Sequence, residues 1–181
     1  MLQFLGSDRW NFADGNLMAW PENPKYRYAL DNHSWAYLIF KDHPINTLSS
    51  ANRFKCIQTA SINGNTINGY DTDEDRDAVF IEGTGQMALA FTLSGQKELS
   101  DYYLKELFKL KISSTMHTNA SGLPYSSNLG TAYGDAPLWF GADTKIAISS
   151  NAWYLFTKYQ FNPFAEGIKT SVPKKDQFWL N

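Results

Sequence analysis

The chain lacks the features that mark several common classes of protein. Its 181 residues include one cysteine, Cys56, which excludes an internal disulfide, and we interpret its thiol as packed because no histidine stands in a recognisable partner signature. The longest apolar run, from Trp35 to Phe40, is too short to cross a bilayer. The formal charge is -2, and lysine and arginine form no basic stripe. We expect neither a membrane nor nucleic acid as a partner, and because no targeting segment is visible the compartment stays open.

Several catalytic and cofactor motifs are also absent. The sequence contains no G-x-S-x-G elbow, no phosphate-binding G-x-x-x-x-G-K-[ST] loop, no G-x-G-x-x-G after a strand and no H-E-x-x-H. Its three histidines, including His33 beside Asp31, have no metal-ligand spacing. We therefore expect no cofactor and no metal ligand set of these types. A hydrophobic fraction of 43% and a charged fraction of 19% indicate one globular domain over residues 1–181.

Aromatic residues are abundant. Six Trp, ten Tyr and twelve Phe make up 15% of the chain. Most of them belong in a core, but exposed aromatic rings also form flat surfaces on which sugars stack.

Periodicity predicts five helices that alternate between buried and amphipathic. Inner helices, apolar around most of their circumference, have to be buried on all sides, whereas the outer ones keep one polar face. The predicted ranges are 33–41, 47–59, 81–94, 96–113 and 147–159. We expect an irregular segment over residues 1–27, a helical core over about 28–164, and a tail over 165–181 that docks through Phe178 and Trp179.

Two long loops, residues 61–80 and 114–145, each lead from an amphipathic helix into a buried one. Both loops should therefore reach the same end of the buried helical layer. Loops this long are rarely mere connectors, and they are typical of functional sites.

Three segments resemble a known group of proteins. They are Ile81-Glu82-Gly83-Thr84-Gly85-Gln86-Met87-Ala88-Leu89-Ala90, then Gly122-Leu123-Pro124-Tyr125, and Ser150-Asn151-Ala152-Trp153-Tyr154-Leu155-Phe156 with Asn162-Pro163-Phe164. Together they resemble the C-terminal part of bacterial proteins of the six-hairpin (α/α)-toroid glycosidase-like superfamily, over about residues 28–164.

The resemblance implies a mainly α fold, a partial (α/α) toroid of alternating inner and outer helices with long rim loops. Five helices are fewer than half of the twelve that six hairpins need, so the chain would be a fragment or a partial ring. An open arc exposes apolar helix sides at its ends, and we expect self-association or a missing partner chain there. The implied function is that of a carbohydrate-active, glycoside-hydrolase-like protein whose partner is an oligo- or polysaccharide.

In such a toroid the inner helices begin around the mouth of a cavity, which places Glu82 and Asp31 near each other. Glycoside hydrolysis needs two carboxyl groups, one to protonate the leaving oxygen and one to activate water or attack the sugar. We predict Glu82 and Asp31 as this catalytic pair. The alternative is structural, because an acidic residue in a first helical turn is favoured by the helix dipole alone.

The predicted substrate-binding residues are aromatic and amide side chains near the same mouth: Trp35, Gln86, Tyr125, Tyr133, Trp139 and Asn151. The aromatic rings would stack on sugar rings, and the amides would hydrogen-bond hydroxyl groups. If the acids only cap helices, the same residues predict a non-catalytic glycan-binding or assembly module.

A third hypothesis concerns calcium. Asp71, Asp73, Asp75 and Glu82 fall at positions 1, 3, 5 and 12 of an EF-hand loop, which would make the chain a calcium-stabilised structural fragment. Position six is Arg76, where such a loop uses glycine for a sharp turn. A solvated acidic turn is the alternative.

Overall fold

The computed structural model describes residues 1–135, 141–165, 169 and 171–180. The α-helices are α1 (Leu2–Phe4), α2 (Leu30–Ile39), α3 (Asn46–Ser50), α4 (Ile81–Leu93), α5 (Lys97–Phe108) and α6 (Ile148–Lys158). The strands are β1 (Trp10–Asn11), β2 (Asn16–Leu17), β3 (Lys55–Thr59), β4 (Thr66–Tyr70), β5 (Ile112–Ser113) and β6 (Ser121–Gly122). A π-helical turn spans Leu5–Arg9, and 3-10 turns span Ala51–Phe54, Lys174–Asp176 and Phe178–Leu180.

Helix α4 lies at the centre of the fold, in contact with α2, α5 and α6. Ten of its 13 residues are buried, as the apolar pattern predicts. Glycine and alanine at Gly83, Gly85, Ala88 and Ala90 leave room for neighbouring helices to approach closely, while Met87 and Leu89 fill the core.

The second half of the predicted helix over residues 47–59 is wrong. Helix α3 ends at Ser50, and the 3-10 turn that follows it ends at Phe54. Strand β3 then pairs antiparallel with β4, from Lys55↔Tyr70 to Thr59↔Thr66. Ile57, expected on the apolar stripe, is 68% exposed, while its neighbour Cys56 is buried. The burial period thus changes from that of a helix to that of a strand after Phe54.

Asparagines of the β3–β4 hairpin bind the end of α5. The Nδ2 atoms of Asn63 and Asn65 donate to the Lys109 carbonyl at 2.8 and 2.9 Å, and the Asn68 amide donates to Glu106 Oε2 at 2.9 Å. The two bonds to Lys109 satisfy a backbone carbonyl that the end of the helix leaves without a partner. Helix α5 therefore ends at Phe108, earlier than predicted, and the chain continues into β5.

The prediction of a partial (α/α) toroid is wrong. The described residues form six helices and three separate two-stranded antiparallel sheets, so the fold is mixed α and β. Two of the sheets, β3–β4 and β5–β6, lie in segments where the toroid requires outer helix or loop. Of the predicted alternation, only the pair of a buried helix, α4, followed by a helix with one exposed face, α5, is present among the described residues.

Helix α6 is buried on one side only, contrary to the expectation for an inner helix. Ser150, Trp153 and Thr157 are buried, but Ile148 is 89% exposed and Leu155 is 46% exposed. Its single buried face packs on α4.

Among the helices in the described ranges, none has the length and apolar character needed to span a bilayer.

The two ends of the chain pack together, which confirms that the tail docks. Phe178 and Trp179 are buried against Trp10 and Phe40 in a separate apolar cluster. The Trp10 and Phe178 rings meet edge to face at 5.5 Å between centroids. The irregular first residues and the tail thus form one unit beside α2.

His43 makes this terminal cluster sensitive to acid. The ring is 5% exposed, lies 5.2 Å from the Trp179 ring, and has no hydrogen-bond partner for either nitrogen among the described residues. Burial lowers the pKa of His43 to about 3. The stability that this neutral ring contributes is present above the unfolded pKa of 6.5 and is lost as the pH falls towards the folded value.

We expect His43→Phe to remove an acid-sensitive contribution on the order of 1 to 2 kcal/mol at pH 5, because the aromatic packing is kept and the buried base is removed. Denaturant unfolding followed by tryptophan fluorescence at pH 7 and pH 5 measures it. His117→Phe is the matched control, because His117 is exposed. An equal loss of stability between pH 7 and pH 5 in both variants would show that His43 is not the acid-sensitive group.

Candidate functional site

Backbone hydrogen bonds bring the N-termini of α2 and α4 to the same edge of the molecule. The Leu30 amide, at the start of α2, donates to the Thr72 carbonyl at 2.9 Å. The Phe80 amide, just before α4, donates to the Tyr70 carbonyl at 2.8 Å. Because Tyr70 and Thr72 are two residues apart, the two helices begin side by side, as the sequence predicts.

Gly83 allows the close approach of the two helices. A Cβ atom at this position would lie 2.6 Å from Leu30 Cδ2 and 2.6 Å from Phe80 Cδ1, well inside van der Waals contact. Asp31 follows Leu30 and Glu82 precedes Gly83, so this approach places the two carboxyl groups near each other. The predicted catalytic pair is therefore brought together.

The segment around Tyr125 joins the start of α6 to this edge. The Tyr125 carbonyl accepts from the Ile81 amide at 3.2 Å, and the Ala147 amide, at the start of α6, donates to the Leu123 carbonyl at 3.0 Å. The Tyr125 ring packs on Phe80 with 5.2 Å between centroids. Both long loops thus reach the end of the molecule where α2, α4 and α6 begin.

These elements enclose a cleft of about 240 Å³, which we call the acidic aromatic cleft. Its lining residues are Ala29, Asp31, Asn32, Trp35, Thr72, Phe80, Tyr125, Ala132 and Tyr133. Four of the nine are predicted catalytic or substrate-binding residues: Asp31, Trp35, Tyr125 and Tyr133. Asn32, the amide beside Asp31, lines the cleft as well, whereas Glu82 is not one of the lining residues. Thr72, Phe80, Ala29 and Ala132 were not predicted as residues of the site. Of these, only Phe80 could have been found from the sequence, because it directly precedes the predicted helix that begins at Ile81.

Asp31 is the chemically unusual group of the cleft. Its Oδ1 atom is buried and has no hydrogen-bond partner within the described residues. Burial, and to a smaller extent the charge of Glu82, raise the pKa of the Asp31 carboxyl from 3.8 to about 7 against the opposing effect of the Gln86 amide. At neutral pH this carboxyl is therefore partly protonated and can act as an acid or a base.

Glu82 lies half-buried in the first turn of α4 and is held by Gln86. The Gln86 Nε2 atom donates to Glu82 Oε1 at 3.3 Å, and the Gln86 Oε1 atom accepts from Ser34 Oγ at 2.8 Å. Gln86 is fully buried, so its amide links α2 and α4 inside the protein. In this arrangement Gln86 positions Glu82, and the predicted direct contact of Gln86 with a sugar has no open path.

Tyr133 is fixed at the rim by the acidic segment 71–77. The Asp73 Oδ2 atom accepts from the Gly134 amide at 2.7 Å, and the Asp77 Oδ2 atom accepts from the Thr131 amide at 2.7 Å. The Tyr133 hydroxyl donates to the Tyr26 carbonyl. The carboxylates of this segment thus hold the loop whose residues 132 and 133 form one wall of the cleft, a role that sequence spacing did not indicate.

The same segment does not adopt the EF-hand arrangement. Strand β4, not a helix, leads into it, and Glu82 is directed to Gln86. Carboxylate oxygens of Asp71, Asp75 and Asp77 lie within 4.8 Å of one another, while Asp73 binds backbone amides. Arg76 does take the left-handed conformation, with φ 59°, and its backbone carbonyl accepts from Gln58 Nε2 at 2.6 Å. A left-handed turn at the sixth position thus forms without glycine.

The remaining predicted residues lie elsewhere. Asn151 uses its side chain on backbone groups, with Oδ1 accepting from the Leu123 amide at 3.0 Å and Nδ2 donating to the Ala147 carbonyl at 2.7 Å. His33 is buried, and its Nδ1 atom lies 3.0 Å from the Ala29 carbonyl. The prediction for Trp139 falls outside the described residues.

Relatives were sought in three ways: among protein-family models, among curated proteins and among solved structures. None of these comparisons found a match. A function for the chain is therefore inferred from the residues of the cleft.

Proposed function

We propose that the acidic aromatic cleft binds a sugar ring of an oligo- or polysaccharide, and that Asp31 and Glu82 cleave its glycosidic bond. The supporting observation is a buried carboxyl oxygen of Asp31 without a partner, in the wall of an aromatic-lined cleft and next to a second carboxyl group. A buried polar atom without a partner needs an explanation. In this proposal Asp31, as a lining residue of the cleft, meets a ligand hydroxyl or glycosidic oxygen there.

The roles of the two carboxyl groups follow from their surroundings. Asp31 is partly protonated at neutral pH, and in its protonated form it donates that proton to the glycosidic oxygen as the bond to the sugar breaks. Glu82 then takes a proton from attacking water or attacks the sugar carbon. Trp35 and Tyr125 provide apolar ring surface for the C–H face of the sugar.

The test combines a panel of nitrophenyl glycosides and polysaccharides with Glu82→Gln. We expect the parent chain to release sugar from at least one member, and Glu82→Gln to lower the rate by about 10²-fold or more because the carboxylate is removed while size and shape are kept. Glu98→Gln is the matched control, since Glu98 is an exposed first-turn residue of α5. Glycan-array binding is measured on all three proteins.

The outcomes separate the hypotheses. Binding without release in the parent chain would replace hydrolysis by non-catalytic glycan binding. If no glycan is bound or cleaved, both carbohydrate functions are rejected.

A further inference from the structure

A second, larger depression lies next to the acidic aromatic cleft. It is a groove of about 590 Å³ between the N-terminal segment and the outer side of α2, and we call it the apolar groove. Asn32 and Trp35 line both depressions, so the groove begins where the cleft ends. The Trp35 ring, which is 38% exposed, is thus shared by the two depressions.

The groove is suited to an uncharged apolar group. Eleven of its thirteen lining residues are apolar, among them Phe4, Leu17, Ile39 and Phe40, and Asn32 and Arg9 are the two polar ones. The Arg9 guanidinium donates to the Ala19 carbonyl at 3.0 Å and lies 5.2 Å from the centre of the Phe4 ring. These contacts hold the guanidinium against the wall of the groove, and the rest of the lining apart from Asn32 is apolar.

We propose that the apolar groove binds the apolar aglycone of a glycoside whose sugar occupies the acidic aromatic cleft. This inference rests on the proposed function and names its substrate class: amphiphilic glycosides in which an alkyl or similar apolar group is joined to a sugar. The continuity through Asn32 and Trp35 places the bond between sugar and aglycone near Asp31, where the leaving oxygen needs its proton.

The test uses methyl, hexyl and octyl glycosides of the sugar that the chain cleaves fastest, below the concentrations at which they form micelles. Each fully buried methylene group strengthens binding about fourfold. In an open groove about half of that free energy is gained, which is about twofold for each methylene. The hexyl glycoside has five methylene groups more than the methyl glycoside, so its KM should be about thirtyfold lower. The rate constant kcat should change little, because the aglycone contacts are made before the reaction and during it.

In the parent chain the octyl glycoside should have a lower KM than the methyl glycoside. Ile39→Ser should reduce this KM ratio about fivefold and leave KM for the methyl glycoside unchanged. Ile57→Ser, the same change at a residue that is 68% exposed on β3, is the control. Phe4→Ser tests the groove again at a side chain that is 49% exposed, so loss of folding in Ile39→Ser does not prevent the test.

Three results would overturn this inference or its basis. If all chain lengths give one KM while the methyl glycoside is cleaved, the groove has no aglycone and the proposed function stands. If groove variants change the sedimentation coefficient and not KM, the groove is an interface with a second copy. If no glycoside is cleaved or bound, the proposed function itself fails.

Discussion

Replacing Asp31 by Asn should lower kcat for glycoside cleavage by about 10²- to 10⁴-fold, the usual contribution of a general acid. The amide has nearly the same shape but no proton to donate to the leaving oxygen. Steady-state kinetics on a glycoside with a poor leaving group measures the loss. A nitrophenyl glycoside should be affected less, because its leaving group departs without strong assistance, and this contrast identifies an acid rather than a nucleophile.

The pH profile of the parent chain gives an independent measure of the same group. Burial raises the pKa of Asp31 to about 7, so activity that needs the protonated carboxyl should decline as the pH rises through about 7. Asp101→Asn is the matched control. Its side chain is exposed on α5, where it pairs with Lys97 at 3.1 Å, and both rate and pH profile should be unchanged.

The substitution of Asp31 by Asn should raise stability while it lowers activity. The folded pKa of Asp31 lies above its unfolded value of 3.8, so the stability associated with the neutral carboxyl is full below pH 3.8 and lost as the pH rises towards 7. Asp31→Asn should therefore raise Tm at pH 8 by about 2 °C or more, the shift that about 1 kcal/mol produces in a chain of this size. A variant that is inactive because it is misfolded would show a lower Tm instead.

The buried helix at the centre of the fold and the meeting of the helix N-termini could be predicted from local sequence. Residues 81–94 are apolar on all sides, and only burial satisfies such a helix. The second long loop was expected to lead into a helix of the same kind; α6 buries one face only, but its start still lies near that of α4 through the segment around Tyr125. Asp31, Trp35, Tyr125 and Tyr133 could be chosen for the site on this basis.

The β3–β4 hairpin could not be predicted with the same pattern. Leu48, Ala51, Phe54 and Ile57 form a regular stripe in sequence, and nothing in that stripe marks the change from helix to strand at Lys55. The strand is stabilised by its pairing with residues 66–70 and by the asparagines that bind the end of α5. Contacts of this kind depend on tertiary structure and override local propensity.

The role of the acidic segment was hidden for a related reason. Its carboxylates are spaced like calcium ligands, but Asp73 and Asp77 bind the backbone of residues more than fifty positions away, at Gly134 and Thr131. Sequence spacing records which groups are close along the chain. It does not record that a distant loop supplies the hydrogen-bond donors.

The second large effect that we expect concerns stability. Leu89→Ala should lower the free energy of unfolding by about 2 to 5 kcal/mol, because it removes a fully buried side chain from α4 and leaves a cavity. Such a loss is a large fraction of the stability of a typical domain, about 5 to 15 kcal/mol. Urea unfolding at constant pH, followed by circular dichroism, measures it.

Leu99→Ala makes the same chemical change on α5. In the structure Leu99 is 39% exposed, whereas Tyr103 and Leu107 are buried. A side chain that keeps this much contact with water leaves no closed cavity, so its removal should cost about 1 kcal/mol or less. Similar losses at Leu89 and Leu99 would mean that α4 does not form the core on which the positions of Asp31 and Glu82 depend.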